Sequence, residues 1–268
     1  MTFLPPKTSK HQELITSVNG FLKDKENSSL PSLESGRMEF QLYKAALVMD
    51  TFLSRLEEII EETKVKAAER GIHITCGKGC DACCSQPITG SFFEGVLIGL
   101  YLDTNPKVKE QFLSKYDIWR SRIGDPKEYG QTMQSAIRAL INGSKDVSDY
   151  VCNAVNNFNQ SEKTNCPFLE ERSCSIYPVR PVVCRQLLSI DDPIKCQTGE
   201  QSRLLRAGDI DELTYRKLPL LLIHLGRSFG FPGIVNSVLP ITVHELIKYK
   251  EKYVEQVIRD CAVQKINY

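Results

Sequence analysis

Eight of the ten cysteines in this 268-residue chain stand in two short blocks. Cys76, Cys80, Cys83 and Cys84 share the nonapeptide CGKGCDACC, and Cys166, Cys174, Cys184 and Cys196 lie within 31 residues. Neither block suits a long helix. Gly77 and Gly79 weaken the first by about 1 kcal/mol each relative to alanine. Pro167, Pro178, Pro181 and Pro193 interrupt the second, because proline lacks an amide donor and clashes with the preceding turn. The chain therefore turns most sharply where its thiols are densest, as convergent metal ligands require. Asp81 is placed to cap a short turn carrying Cys83 and Cys84.

The rest of the chain reads as helix. Ser9 to Gln12 fits a capping box, followed by a face of Leu14, Ile15, Val18, Phe21 and Leu22. The strongest pattern runs from Ser35 to Arg70, with Met38, Leu42, Ala45, Met49, Phe52, Leu56, Ile59 and Ile60 at spacings of three and four and Gly71 as the stop. Ser91 to Asp103 is helical, as are weaker patterns over about 106–121 and 130–141, while 142–164 reads as a polar loop. In the C-terminal part, Thr242 to Glu245 fits a second capping box with Ile241 and Leu246 as its staple. The segments Ser175 to Tyr177 and Val182-Val183 suit a small ribbon at most. The expected fold class is mainly α, a single domain over 1–268, with a helical scaffold around an irregular cysteine-rich metal-binding core at 72–90 and 165–198.

Composition narrows the function. Apolar residues make up 41% and charged residues 25%, which excludes wholesale disorder. Lys and Arg number 34 against 33 Asp and Glu, so no basic excess draws the chain to nucleic acid or an anionic membrane. No apolar run approaches the ~20 residues of a spanning helix. The first twenty residues show no basic start followed by an apolar stretch, so the expected location is cytoplasmic. Cysteines in that setting serve more often as metal ligands or redox groups than as disulfides. Four thiolates around Zn²⁺ or a [4Fe–4S]²⁺ core leave a net charge of about −2, which calls for nearby donors and cations. Lys78, Tyr177, Arg180 and Arg185 are the candidates for that supporting role, and Lys195 lies beside them in sequence. Buried inert thiols and a disulfide framework are the bland alternatives.

The order C-x₃-C-x₂-C-C, then Cys166-Pro167-Phe168-Leu169, Cys174-Ser175-Ile176-Tyr177, Arg180-Pro181 and Cys184-Arg185 resembles the bacterial cysteine-cluster proteins of the CxxCxxCC, or YkgJ-like, family. The resemblance implies a zinc- or iron-chelating protein, and Cys196 falls where such proteins often carry an eighth cysteine. It covers roughly residues 76–94 and 166–196. One departure is that Gly77-Lys78-Gly79 puts three residues between the first two cysteines. The cluster also distantly resembles that of flagellin lysine N-methylases. That likeness implies, as an alternative, a metal- or cluster-dependent protein methyltransferase or oxidoreductase. A third reading is an interaction scaffold with structural zinc and a protein partner. Zinc, iron and an iron–sulfur cluster all remain open as the cofactor.

Outside the blocks, Cys152 and Cys261 read as plain buried thiols, Cys261 on the apolar stripe of the last helix. His73 reads as a bystander, and His11, His224 and His244 as surface or core residues. Glu94 either stands exposed at a helix start, where it favours the dipole, or hydrogen-bonds near the site; the first reading is preferred. No Walker loop, G-x-G-x-x-G or H-E-x-x-H motif is present.

Overall fold

The structure is a computed structural model that describes residues 3, 4, 7–24, 36–132, 158, 165–198, 203–205, 207–231 and 234–264. Among these residues helix dominates, as the periodicity predicts, and the strands are two or three residues long.

Helix α1 spans Ser9–Lys23. Its cap is Thr8 instead of the expected Ser9: Thr8 is extended, with φ −146° and ψ 165°, and its hydroxyl accepts from the His11 amide at 3.4 Å. The apolar face predicted for α1 is buried, and His11 is buried with it. Helix α2 spans Met38–Glu69. Beyond it the amides of Gly71 and Ile72 donate to the carbonyls of Ala68 and Ala67, closing the helix with Gly71 at φ 71°. The charged face of α2 is partly exposed and laced by Arg55–Glu58 and Lys64–Glu61 pairs, which contribute only tenths of a kcal/mol, about 0.3–0.5 for helical pairs of this kind.

Helix α3, Phe92–Thr104, is apolar almost all round and is buried between α2 and helix α9, Leu239–Tyr249. Their approach is close enough that a Cβ on Gly95 would meet Thr242 Cγ2 at 2.7 Å. Only glycine fits there without displacing α9. Helix α4, Pro106–Ser121, follows α3 and buries Phe112, Tyr116 and Trp119. Strand β1, Thr89–Ser91, leads into α3 and pairs antiparallel with β4, Asn236–Val238, which leads into α9. This pair joins the starts of the two helices, and no sequence pattern announces it.

Several boundaries differ from expectation. The Ser175–Tyr177 and Val182–Val183 ribbon does not form. Tyr177–Val179 is a 3₁₀ turn and Val182–Gln186 is helix α5, because Pro178 and Pro181 cannot donate to a ladder. The hairpin that does form is β2, Leu169–Glu170, with β3, Ser173–Cys174. Helix α6, Pro193–Thr198, is also short. Helix α7, Gly208–Asp211, runs through a π-helical turn, Glu212–Lys217, into α8, Leu218–Ser228. The proposed Thr242 capping box lies inside α9, which starts three residues earlier on leaving β4. Pro240 is harmless in its first turn, where no intrahelical donor is needed. The Thr242 hydroxyl instead donates to Ser237 Oγ at 2.6 Å. Lys250, at φ 47°, then separates α9 from α10, Glu251–Gln264, so the C-terminal pattern is two helices.

One contiguous apolar core runs from Leu14 on α1 to Val254 on α10 and includes Phe168 and Ile176 from the second cysteine block. No helix among the described residues is long and apolar enough to cross a membrane. The expected helix over 130–141 and the loop over 142–164 lie largely outside the described residues; residues 126–132 are helical.

Candidate metal centre

The first cysteine block is built from successive turns. The Cys80 amide donates to the Gly77 carbonyl at 3.1 Å, with Gly79 at φ 91° in the left-handed position that this turn needs. The Cys84 amide donates to the Asp81 carbonyl at 2.9 Å and the Gln86 amide to the Cys83 carbonyl at 3.0 Å. Asp81 thus anchors the turn carrying Cys83 and Cys84 through its backbone. Its carboxylate pairs with Arg172 at 3.2 and 3.3 Å, tying this block to the second.

Backbone bonds join the two blocks at two separate places. At the first, the Thr75 amide and hydroxyl both donate to the Ser189 carbonyl, at 2.9 and 3.1 Å, and the hydroxyl also reaches the Asp191 carbonyl at 2.7 Å. The Ser189 amide donates back to Cys76 Sγ at 3.1 Å. Asp191 holds this loop by accepting from Arg203 Nε and amide, both at 2.8 Å, with Lys195 at 3.4 Å. Hydrogen bonds from the Arg203 side chain hold the Asp191 carboxyl well below the usual carboxylate range. At the second join, the Cys166 amide donates to the Cys84 carbonyl at 2.7 Å. Phe168, stacked on Phe112 with centroids 4.6 Å apart, then plugs the hairpin into α4.

The hairpin connection is Glu171–Arg172, both at positive φ, 43° and 63°. This two-residue turn matches strand twist but favours Gly or Asn. It presents Arg172 to Asp81.

The arginines of the second block form a lock. Arg185 is buried. Its Nε donates to the Arg180 carbonyl at 2.7 Å, its Nη2 to the Pro178 carbonyl at 2.7 Å, and its Nη1 to Glu57 on α2. Arg180 reaches Glu57 at 3.5 Å and lies over the Tyr177 ring at 4.2 Å, with Lys78 on the same ring at 5.9 Å. All four expected supporting residues therefore stand together. Arg185 meets carbonyls and a carboxylate, whereas Arg180 Nε is buried with no hydrogen-bond partner among the described residues.

Glu94 corrects the expectation most clearly. It is 3% exposed. Its Oε2 accepts from the Ser91 amide at 2.7 Å and hydroxyl at 2.8 Å, completing a capping box for α3. Its Oε1 accepts from the Val182 amide at 2.8 Å, at the start of α5, whose own cap residue Pro181 offers no side-chain acceptor. One buried carboxylate thus caps two helix N-termini, one of them bearing Cys184. Burial pushes its pKa up against these hydrogen bonds. The Ser91-x-x-Glu94 spacing was the available signal; no local pattern marks Glu57, Ser189, Asp191 or Arg203.

The thiols influence one another. A hydrogen bond with the Cys84 thiol lowers Cys83, which is exposed, to about 7, and the same bond together with burial raises Cys84. Burial pushes up Cys76, Cys166, Cys174 and Cys184. Arg180 opposes this at Cys174 and Cys184, and Arg185 at Cys174. The described cysteines are free thiols. Cys261 is half-buried instead of buried. Cys152 lies outside the described residues. His73 is exposed.

No group of three or more His, Cys, Asp or Glu side chains among the described residues is drawn together at metal-ligand geometry. The donors nevertheless fit a thiolate-binding metal in kind. Backbone amides already point at sulfur, from Ser189 to Cys76 and from Phe168 to Cys166 at 3.4 Å. The orphaned Arg180 Nε is a buried donor beside thiols that would become anionic on binding. Comparison with models of known protein families, with curated proteins and with solved structures finds no match.

Proposed function

We propose that this is a cytoplasmic metal-binding protein whose helical scaffold closes around a cysteine-rich core. Cys76, Cys80, Cys83, Cys84, Cys166, Cys174, Cys184 and Cys196 are its ligands, and zinc or iron, including a [4Fe–4S] cluster, is its cofactor. The observation that carries this reading is the bond from the Cys166 amide to the Cys84 carbonyl at 2.7 Å, which brings together thiol blocks from distant parts of the chain. Free thiols, amides directed at sulfur and a buried arginine donor without a partner support it. A bound zinc would clamp the loops, whereas an iron–sulfur cluster would carry electrons. Lys78, Tyr177, Arg180 and Arg185 hold the loops in place and offset the negative charge of the thiolates.

A second reading, a metal- or cluster-dependent methyltransferase or oxidoreductase, is favoured by one feature. A cleft of about 440 Å³ opens beside Cys166, lined in part by Lys115, Trp119, Arg122 and Arg172. A catalytic centre needs such an approach for its substrate, whereas a closed structural site does not.

Metal analysis and visible absorption of the full chain, purified both with and without oxygen, test the proposal. Stoichiometric zinc without colour, or iron with broad absorption that dithionite bleaches, is the expected result. Absence of both metals from both preparations overturns it.

A further inference from the structure

His11, in the first turn of α1, is 2% exposed. Its Nδ1 accepts from the Lys7 amide at 3.0 Å. An amide can only donate, so Nδ1 carries the lone pair and the imidazole proton sits on Nε2. That Nε2 is buried and has no hydrogen-bond partner among the described residues. The ring packs on two aromatic rings of α2, with centroids 5.6 Å from Phe40 and 5.2 Å from Tyr43. Each of those rings already carries an ammonium group. Lys44 Nζ lies 4.6 Å from the Phe40 centroid, and Lys7 Nζ lies 4.6 Å from that of Tyr43. Lys44 is itself buried.

Such a site suits a neutral imidazole and opposes a charged one. A second proton has to enter at Nδ1, where it breaks the bond from the Lys7 amide and leaves that amide without its acceptor. It also sets a third positive charge beside two ammonium groups, in a place shielded from water. Burial, Lys44 and Lys7 all push the His11 pKa down from its ordinary value near 6.5, and no carboxylate is among the groups acting on it. Tyr43 is the other titratable neighbour; burial and Asp50 raise it, so it stays neutral. Asp50, farther along α2, accepts from the Leu4 amide at 2.6 Å, and burial lifts its carboxyl to about 6. That carboxyl takes up a proton more readily when covered, so acid strengthens the anchor at Leu4 while it weakens the one at Lys7.

We infer that His11 is an acid-released latch: neutral, it holds the start of α1 against Phe40 and Tyr43, and protonation at Nδ1 frees that turn. The opened turn binds the proton more tightly than the closed one. Closure is therefore strongest above about 6.5 and weakens as pH falls through that value. Phe3, just ahead of the latch, rests on the Tyr101 ring at 4.9 Å and walls a cleft of about 500 Å³ together with Tyr177 and Arg185. The latch thus anchors the segment that borders the arginine lock of the second cysteine block.

Hydrogen exchange of the full chain between about pH 7.5 and pH 5, corrected for the intrinsic pH dependence of amides, tests this. Opening at the amides of Lys7, His11 and Gln12 is expected to rise several-fold by pH 5, with a ceiling of about thirtyfold if the closed form takes up no proton. Opening in the middle of α3 is expected to stay level. An equal rise in both helices overturns the latch, as does no rise at Lys7. His11→Gln keeps an acceptor for the Lys7 amide and removes the titration, so exchange at these amides is expected to lose its pH dependence. A retained rise in that variant overturns the assignment to His11. If the variant does not fold, NMR titration of the wild-type imidazoles decides. His11 is expected to titrate below about 6.5, and titration at or above that value overturns the proposal.

Discussion

Helix α3 and the segment from Cys166 to Thr198 both contribute to the core, yet different forces hold them. Ten of the thirteen residues of α3 are buried, nearly all apolar, and its close contacts are with α2 and α9. The segment buries scattered anchors, Cys166, Phe168, Ile176, Val179, Val182 and Leu188, and is further fixed by directional bonds. Glu94, Arg185 and Thr75 each satisfy two backbone groups of it or of its neighbours, and Asp191 accepts from one backbone amide and two side chains. Apolar burial is spread over many contacts and tolerates local change by repacking. A polar keystone is concentrated, and its removal leaves several buried groups unpaired at once. The helical core is therefore expected to fold from its own burial, whereas the geometry of the thiols depends on a handful of carboxylates and guanidinium groups.

The largest expected effect lies in the core. Leu97 is fully buried at the centre of α3, and Leu97→Ala is expected to lower stability by about 3 kcal/mol through lost transfer energy and a residual cavity. Chemical denaturation measures it. Metal bound per folded molecule is expected to stay the same, and a parallel loss of metal would break the distinction between the two regions.

Glu94→Ala tests the polar keystone, with an expected loss of about 2 kcal/mol because the Val182 and Ser91 amides lose their acceptor. Hydrogen exchange should accelerate more at 182–186 than in the middle of α3. Equal acceleration in both would show that Glu94 supports the core as a whole and not the junction with the segment after Cys166.

The smallest effect is a gain. Glu171 holds φ 43° in the hairpin turn, and Glu171→Gly is expected to raise stability by about 1 kcal/mol, because glycine adopts that backbone without steric cost. The comparison variant is Arg172→Gly, which relieves the same strain but removes the ion pair to Asp81. A smaller gain for Arg172→Gly than for Glu171→Gly would assign that pair a share in holding the blocks together.

Helical periodicity made the long elements legible. The repeat of apolar residues from Met38 to Ile60 marked α2, and Gly71 marked its end. The cysteine blocks were legible as irregular segments because their glycines and prolines act locally on the backbone. Boundaries were less so. Thr8 and Ser9 are both good caps, and only the extended backbone of Thr8 selects between them. Thr242 fits a capping box, yet β4 delivers the chain to Leu239 already turning into a helix. A carboxylate at a helix start is exposed unless another element covers it, and the element that covers Glu94, α5, lies far along the chain.

The sequence alone therefore determined the helical class, the two irregular blocks and the identity of the thiols, since each follows from residue type and short-range spacing. Tertiary structure decided what those thiols meet. The joins of Thr75 to Ser189 and of Cys84 to Cys166, the reach of Arg185 to Glu57 and the double cap by Glu94 are all long-range. No local pattern encodes such bonds. They exist because buried amides and charges must find partners wherever packing of α2, α3 and α9 happens to bring them.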